Sequence, residues 1–228
     1  MNTLKYIFTN TLKKENFTAF GDERGCDVYI LGTLHYASFN PIFHYSFKHI
    51  LNVIYNLQPQ KVLIEARKEV YEVADIVDGP PEMILCYSYC KEKGIPVGFI
   101  DWFDESSEAD TTSAERDDKI YDNIRNELSG LSENNRPVLV VCGTVHREES
   151  GKRFISDGFK QKQINNKISF FRSGNKFMYP ERYLSDLEQA IFHHKSSDDI
   201  KWQNVARSLQ RILDKGVLKN REYIFKFK

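Results

Sequence analysis

Short, strongly apolar runs recur along the chain, separated by amphipathic stretches. VYIL at 28–31, KVLIE at 61–65, PVGFID at 96–101 and PVLVVCG at 137–143 are rich in Val, Ile, Leu or Phe. None shows clean polar alternation, and each is bounded by Pro, Gly or charged residues, which predicts buried, mainly parallel strands. Between them the period changes. Over 41–57, Phe43, Phe47, Ile50, Leu51, Ile54 and Leu57 share one helical face, with Pro41 in the first turn and Pro59 as a stop. A second helix spans 82–93 and closes at Gly94. Thr112-x-x-Glu115 reads as a capping box opening a third, through Ile120, Ile124 and Leu128. Alternating strand and helix implies layered α/β architecture with right-handed crossovers.

The C-terminal third reads differently. KISFFR at 167–172 predicts a further strand, 181–192 and 199–218 predict amphipathic helices, and EYIFKF at 222–227 a terminal strand. No low-complexity linker separates this part. The expectation is therefore one domain over 1–228, with a core at about 27–150 and an extension at about 151–228. The polar segment 104–118 reads as a loop whose last residues already belong to the third helix.

Composition narrows the function classes. The chain has 228 residues, 32 Lys+Arg against 32 Asp+Glu, and 41% hydrophobic residues, an ordinary globular balance. A formal charge of zero removes the long-range attraction behind non-specific nucleic-acid binding. The longest uncharged stretch, 28–47, contains Gly32, Thr33, His35, Ser38, Asn40, Pro41 and His44, so no membrane span is expected. The first residues, MNTLKYIFTNTLKKENF, lack the apolar run of a secretory signal. Cys26, Cys86, Cys90 and Cys142 form no CxxC pair, pointing to a reduced, cytoplasmic protein.

What ends each apolar run carries the chemistry. The first delivers His35, the second Glu65, the third Asp101, and the fourth leads into His146. Ligands of parallel α/β sheets bind beyond the carboxyl ends of the strands, so these four side chains should line one edge. Two of the ends are near-copies: ILGTLH at 30–35 and VCGTVH at 141–146. Glycine permits close approach, threonine can bond local backbone or a ligand, and histidine can bind a metal or move a proton.

The paired motifs resemble those of the TraB/PrgY/Tiki proteins and the wider erythromycin-esterase/ChaN-like superfamily. That family shows a GxxH, a strand ending in Glu, a helix with an Arg-Asp pattern, and a second GxxH. Here GTLH (32–35), KVLIEAR (61–67), ERDDKIYDNI (115–124) and GTVH (143–146) follow in that order, within roughly residues 27–150. The resemblance implies a three-layer α/β/α fold with a mainly parallel sheet, extended at the C-terminus by α+β structure. It also implies a hydrolase or ligand-binding site. Tiki-like members are divalent-metal-dependent proteases, erythromycin esterases use histidine and glutamate without metal, and ChaN-like relatives bind haem.

Either hydrolytic route suits the residues. His35, Glu65 and His146 make a two-His-one-carboxylate set for Zn²⁺, Mn²⁺ or Co²⁺ with room for a water. Without metal, Glu65 could orient one histidine while that histidine takes a proton from water. Asp101 could join or support the set, and Arg116 could stabilise an oxyanion. A peptide, amide or ester is then the substrate. The competing class is a non-catalytic protein that sequesters a peptide or a haem-like ligand, for which Tyr36 and His44 offer axial groups. His44 and His49 read as packing or surface residues, Trp102 and Trp202 as packing residues, and His193-His194 as a helix C-terminal pair. Arg116, among Glu115, Asp117 and Asp118, equally fits a solvated surface charge. No phosphate loop, GxSxG or Cys-His nucleophile pattern occurs. Homo-oligomerisation is left open. The neutral total hides two opposed blocks: eight acids and one base over 101–118, and eight bases against two acids over 201–228. The first is expected to flank the site and the second to pack near it or recruit an acidic partner.

Overall fold

The computed structural model describes residues 16–21, 26–35, 47–102, 114–131, 136–165, 167–171, 177–214 and 222–223. Its centre is a six-stranded mixed sheet built from β1 (Phe17–Gly21), β2 (Asp27–Thr33), β3 (Lys61–Arg67), β4 (Val97–Asp101), β5 (Val138–Gly143) and β6 (Lys160–Lys162). They lie in the order β4-β3-β5-β2-β1-β6. The four strands expected from the apolar runs are the parallel block, with β5 between β3 and β2. β1 and β6 extend the sheet antiparallel at one side. Because β2 to β5 run the same way, their carboxyl ends share one edge.

Helices cover both faces. On one, α1 (Phe47–Leu57), α3 (Pro81–Lys93), α7 (Tyr183–Lys195) and α8 (Ile200–Asp214) share a core with Val62, Ile64, Leu139 and Val141, α7 lying against α3 and α8 against α7. On the other, α4 (Ala114–Ser129) and α5 (Thr144–Ser156) bury Ile120, Ile124 and Phe154 against Leu63, Val138, Val140 and Cys142. The interiors of β3, β4 and β5 are buried, as is β2 between Ile30 and Thr33, which is why these four read as unbroken apolar runs. The short α2 (Lys68–Ala74) follows β3 directly. Gly94 ends α3 at a positive φ of 67°, its N–H donating to the Cys90 and Lys91 carbonyls, as the glycine stop requires. Among the described residues no helix is long and apolar enough to cross a membrane.

One predicted strand is corrected. Residues 167–170 form the short helix α6 (Lys167–Phe170). Its carbonyls are taken by side chains of α1 instead of a ladder: Asn52 Nδ2 donates to Phe171 O at 2.8 Å and Asn56 Nδ2 to Phe170 O at 3.0 Å. Phe170 and Phe171 then pack on Phe17, with ring centroids at 5.6 and 5.5 Å. At the C-terminus, β8 (Glu222–Tyr223) pairs with β7 (Phe177–Met178); the rest of the terminal strand expected over 222–227 lies outside the described residues. So do Pro41, Phe43, Thr112 and most of the acidic segment 104–118.

Candidate active site

The four strand-end residues do meet at the carboxyl edge, and Glu65 is the centre. A register shift in β3 between Ile64 and Arg67 sets Glu65 and Ala66 against one residue of β4, a bulge of the kind that re-aims a side chain beside a site. Glu65 Oε2 accepts the Gly143 amide at 2.5 Å. Its Oε1 accepts Arg116 Nη2 at 3.1 Å. The same oxygen lies 3.5 Å from His146 Nε2 and 3.9 Å from His35 Nε2.

The two GTxH motifs interlock across the β2–β5 pair. Thr33 is the register partner of Gly143, and Thr144 Oγ1 donates to the Thr33 carbonyl at 3.1 Å. Thr33 Oγ1 donates to Glu82 Oε1 at 2.9 Å and lies 3.3 Å from the Cys142 carbonyl. A side chain on Gly143 would stand 3.0 Å from His35 Nε2, and one on Gly32 would stand 3.2 Å from Thr144 Cα and 2.9 Å from Arg147 Cδ. Each motif's glycine thus makes room for residues of the other. This is a packing reason for glycine that the repeated pattern alone does not disclose.

Each imidazole is held from behind by a carboxylate that the strand ends do not supply. His35 Nδ1 donates to Glu82 Oε1 at 3.0 Å, and His146 Nδ1 donates to Asp117 Oδ1 at 2.5 Å. Glu82 comes from the first turn of α3 and Asp117 from the first turn of α4, on opposite faces of the sheet. Sequence reasoning passed over both. The available signal for Glu82 was a lone charge near the start of the otherwise uncharged run PEMILCYSYC at 81–90. Asp117 was counted as one charge in an acidic block.

Arg116, expected at the site or as a solvated charge, stands at the site as a nearly buried clamp. Its Nε and Nη2 donate to Asp101 at 2.9 and 3.0 Å while Nη2 also holds Glu65. Asp101 further accepts the Trp102 amide at 2.8 Å. Both acids it clamps stand at strand ends.

Burial and charge set the protonation of the centre. Burial alone would depress His35, but the hydrogen bond to Glu82 and the charges of Glu82 and Glu65 outweigh it and raise its pKa to about 9. Burial opposes ionisation of Glu65, yet His35, Arg116, the Gly143 amide and, whenever it carries a proton, His146 hold it below the usual carboxylate value. Burial, with a contribution from the Glu65 charge, pushes Asp101 up to about 6 against the pull of Arg116. The centre therefore contains an ionised carboxylate facing a protonated imidazole.

Among the described residues no group of three or more His, Cys, Asp and Glu side chains is placed to hold a metal ion. A cation on Glu65 Oε1 would also have to share that oxygen with the Arg116 guanidinium at 3.1 Å.

The remaining candidates separate from the centre. Trp202 stacks on His194 at 5.1 Å and 6°, and Arg67 lies 4.5 Å over the same indole. Arg67 also donates from its amide and Nε to Asp78, at 2.9 and 2.5 Å, and His194 Nε2 donates to the Asp78 carbonyl at 3.3 Å. This assembly anchors the end of β3 to α7 and α8, so Trp202 and His194 are packing residues. Burial lowers the pKa of Lys201 on α8, and the charges of Arg116 and Arg67 add to the effect. His49 packs edge-on against Phe171 at 6.4 Å. Tyr36 and His44, the candidate haem ligands, lie outside the described residues.

No family model matches this sequence, and no curated protein or solved structure matches it significantly. The assignment of function rests on the site.

Proposed function

We propose that the chain is a hydrolase of the TraB/Tiki-like type, within the erythromycin-esterase/ChaN-like superfamily, that activates water at a metal-free His/Glu centre and cleaves a peptide, amide or ester bond. One observation carries this reading. Both imidazoles turn Nε2 toward Glu65 Oε1, at 3.5 and 3.9 Å, while each Nδ1 is held by its own carboxylate. A pair of histidines with opposite tasks follows from that geometry.

His146, its Nδ1–H fixed on Asp117, presents Nε2 as the proton acceptor. A water donating one hydrogen to Nε2 and the other to Glu65 Oε1 is oriented with its lone pairs free to attack a carbonyl carbon. The proton taken by His146 passes to the leaving oxygen or nitrogen as the tetrahedral intermediate collapses. His35, charged through neutral pH, faces the developing oxyanion. Arg116 holds Glu65 ionised and in place. The four cysteines are free and three are buried, which supports a reducing, cytoplasmic setting.

The test is a panel of activated esters and chromogenic amides, assayed after exhaustive metal removal, with Glu65→Gln and His146→Gln as companions. Turnover that survives metal removal and falls by about 10²-fold or more in either variant supports the reading. Turnover lost on chelation and restored by Mn²⁺, Co²⁺ or Zn²⁺ overturns the metal-free route.

A further inference from the structure

Leu34 and Val145 occupy the one variable position in the two GTxH motifs, directly before His35 and His146. They are 47% and 53% exposed, whereas Thr33 and His146 beside them are 1% and 4% exposed. They emerge from a locked pair of backbones, since Thr33 and Gly143 are register partners and Thr144 Oγ1 bonds the Thr33 carbonyl at 3.1 Å. Two apolar side chains therefore stand in solvent at the edge where both imidazoles sit. The interior beneath them is ionic: Glu65, Arg116 and a charged His35.

Neither residue suits its place on structural grounds. Val145 lies in the first turn of α5, where an exposed position favours acidic or small polar residues and a β-branched side chain has weaker helix propensity. Leu34 follows the last residue of β2 and packs into neither core cluster. One exposed aliphatic residue needs no explanation. Two, repeated in both copies of the motif that supplies the histidines, ask for one.

We propose that Leu34 and Val145 form an apolar lip that receives a hydrocarbon substituent adjoining the scissile carbonyl, so that the substrates are esters or amides of apolar acids or of apolar alcohols and amines. This rests on the hydrolase reading above. The polar centre engages the carbonyl, and the lip excludes water from its flank while burying alkyl surface.

The test uses two ester series at neutral pH. One lengthens the acyl chain from acetate to hexanoate with a fixed p-nitrophenol leaving group, and the other lengthens the alcohol with a fixed acetyl group. The expected result is a rise in kcat/KM of roughly two- to four-fold per methylene in at least one series. Leu34→Ser and Val145→Ser should each flatten that slope, and the double variant should flatten it most. Ile155→Ser, on the same helix as Val145 and likewise 54% exposed, is the control and should leave the slope unchanged. Slopes that are flat in both series, or that persist in the double variant, overturn the lip while leaving the hydrolase intact. Absence of any Glu65-dependent turnover instead sinks the hydrolase reading, and the lip falls with it. Circular dichroism of each variant confirms that these surface changes leave the fold in place.

Discussion

Replacing Glu82 by Gln isolates the charge that makes His35 a cation. The side chain is fully buried, and its Oε1 receives both Thr33 Oγ1–H and His35 Nδ1–H. Glutamine keeps an acceptor there but removes the negative charge responsible for much of the rise. His35 stands at about 9 in the native protein. At pH 8 such a group is roughly 90% protonated, whereas an imidazole near its unperturbed ~6.5 retains only about 3%. If the cation is what meets the oxyanion, kcat/KM at pH 8 should fall about 30-fold in the variant, and at pH 6 by less than about two-fold.

The assay is the pH–rate profile from pH 5 to 10, with the His35 ring followed in parallel by NMR titration. The alkaline limb should move from near pH 9 down toward pH 7. An alkaline limb that stays in place, or a loss of equal size at every pH, refutes the assignment of His35 as the charged partner. The same shift has a stability consequence with a definite sign. Because the folded pKa is raised, the stabilising contribution is complete below about pH 6.5 and is lost as pH climbs through about 9. A thermal melt at pH 7 guards against a trivial outcome. Glu82 Oε2 is buried without a hydrogen-bond partner, and a glutamine amide there would leave a donor unpaired, at about 1–3 kcal/mol.

Asp117→Asn should reduce kcat by about 10²–10⁴-fold with little change in KM, because the amide can stabilise the wrong His146 tautomer; a loss confined to KM counts against the general-base role. Gly143→Ala places a methyl 3.0 Å from His35 Nε2, while the native φ of −59° suits alanine. It should lower kcat/KM by about 10- to 100-fold with a nearly unchanged melting temperature, and full activity would show that the ring does not need that space. His194 is buried against Trp202 and its pKa is depressed to about 4. The unfolded chain binds that proton near pH 6.5, so stability declines as pH falls from about 6.5 toward 4, by up to roughly 3 kcal/mol. Urea midpoints at pH 7 and 4.5 should differ less in His194→Gln than in the native chain, and equal differences would locate the acid sensitivity elsewhere.

The parts of this protein legible in the sequence are those fixed by local pattern. Val62, Leu63 and Ile64, or Val138 to Cys142, are buried on both faces of the sheet, so their identity as central strands survives in an unbroken apolar run. Parallel strands then force Glu65, Asp101 and the two histidines to one edge. The features that escaped depend on packing between distant segments. β1 was missed because FTAFG mixes small and aromatic residues with no clear period. Residues 167–170 failed as a strand because Asn52 and Asn56, more than a hundred positions earlier, capture the segment's carbonyls. Asp117 lies beside Arg116 in sequence, yet the two turn to different partners, His146 and Asp101, and no charge count distinguishes them.

The repeated motif is best understood through that same long-range geometry. Copies of a short sequence at the ends of two adjacent strands do not make two separate sites here, because each copy completes the other. Gly143 clears space for the ring of His35, and Gly32 clears space for Thr144. Thr144 ties its helix to the Thr33 carbonyl, and Thr33 carries the first motif across to Glu82. A change at Gly143 should therefore press on His35, the histidine of the other copy, and one at Gly32 on Thr144 and Arg147. The two imidazoles reach one carboxylate from strands in direct register, yet their supporting acids come from helices on opposite faces. That arrangement keeps Glu82 and Asp117 apart, so each tunes one imidazole, and a charged donor and a proton acceptor can coexist on either side of Glu65.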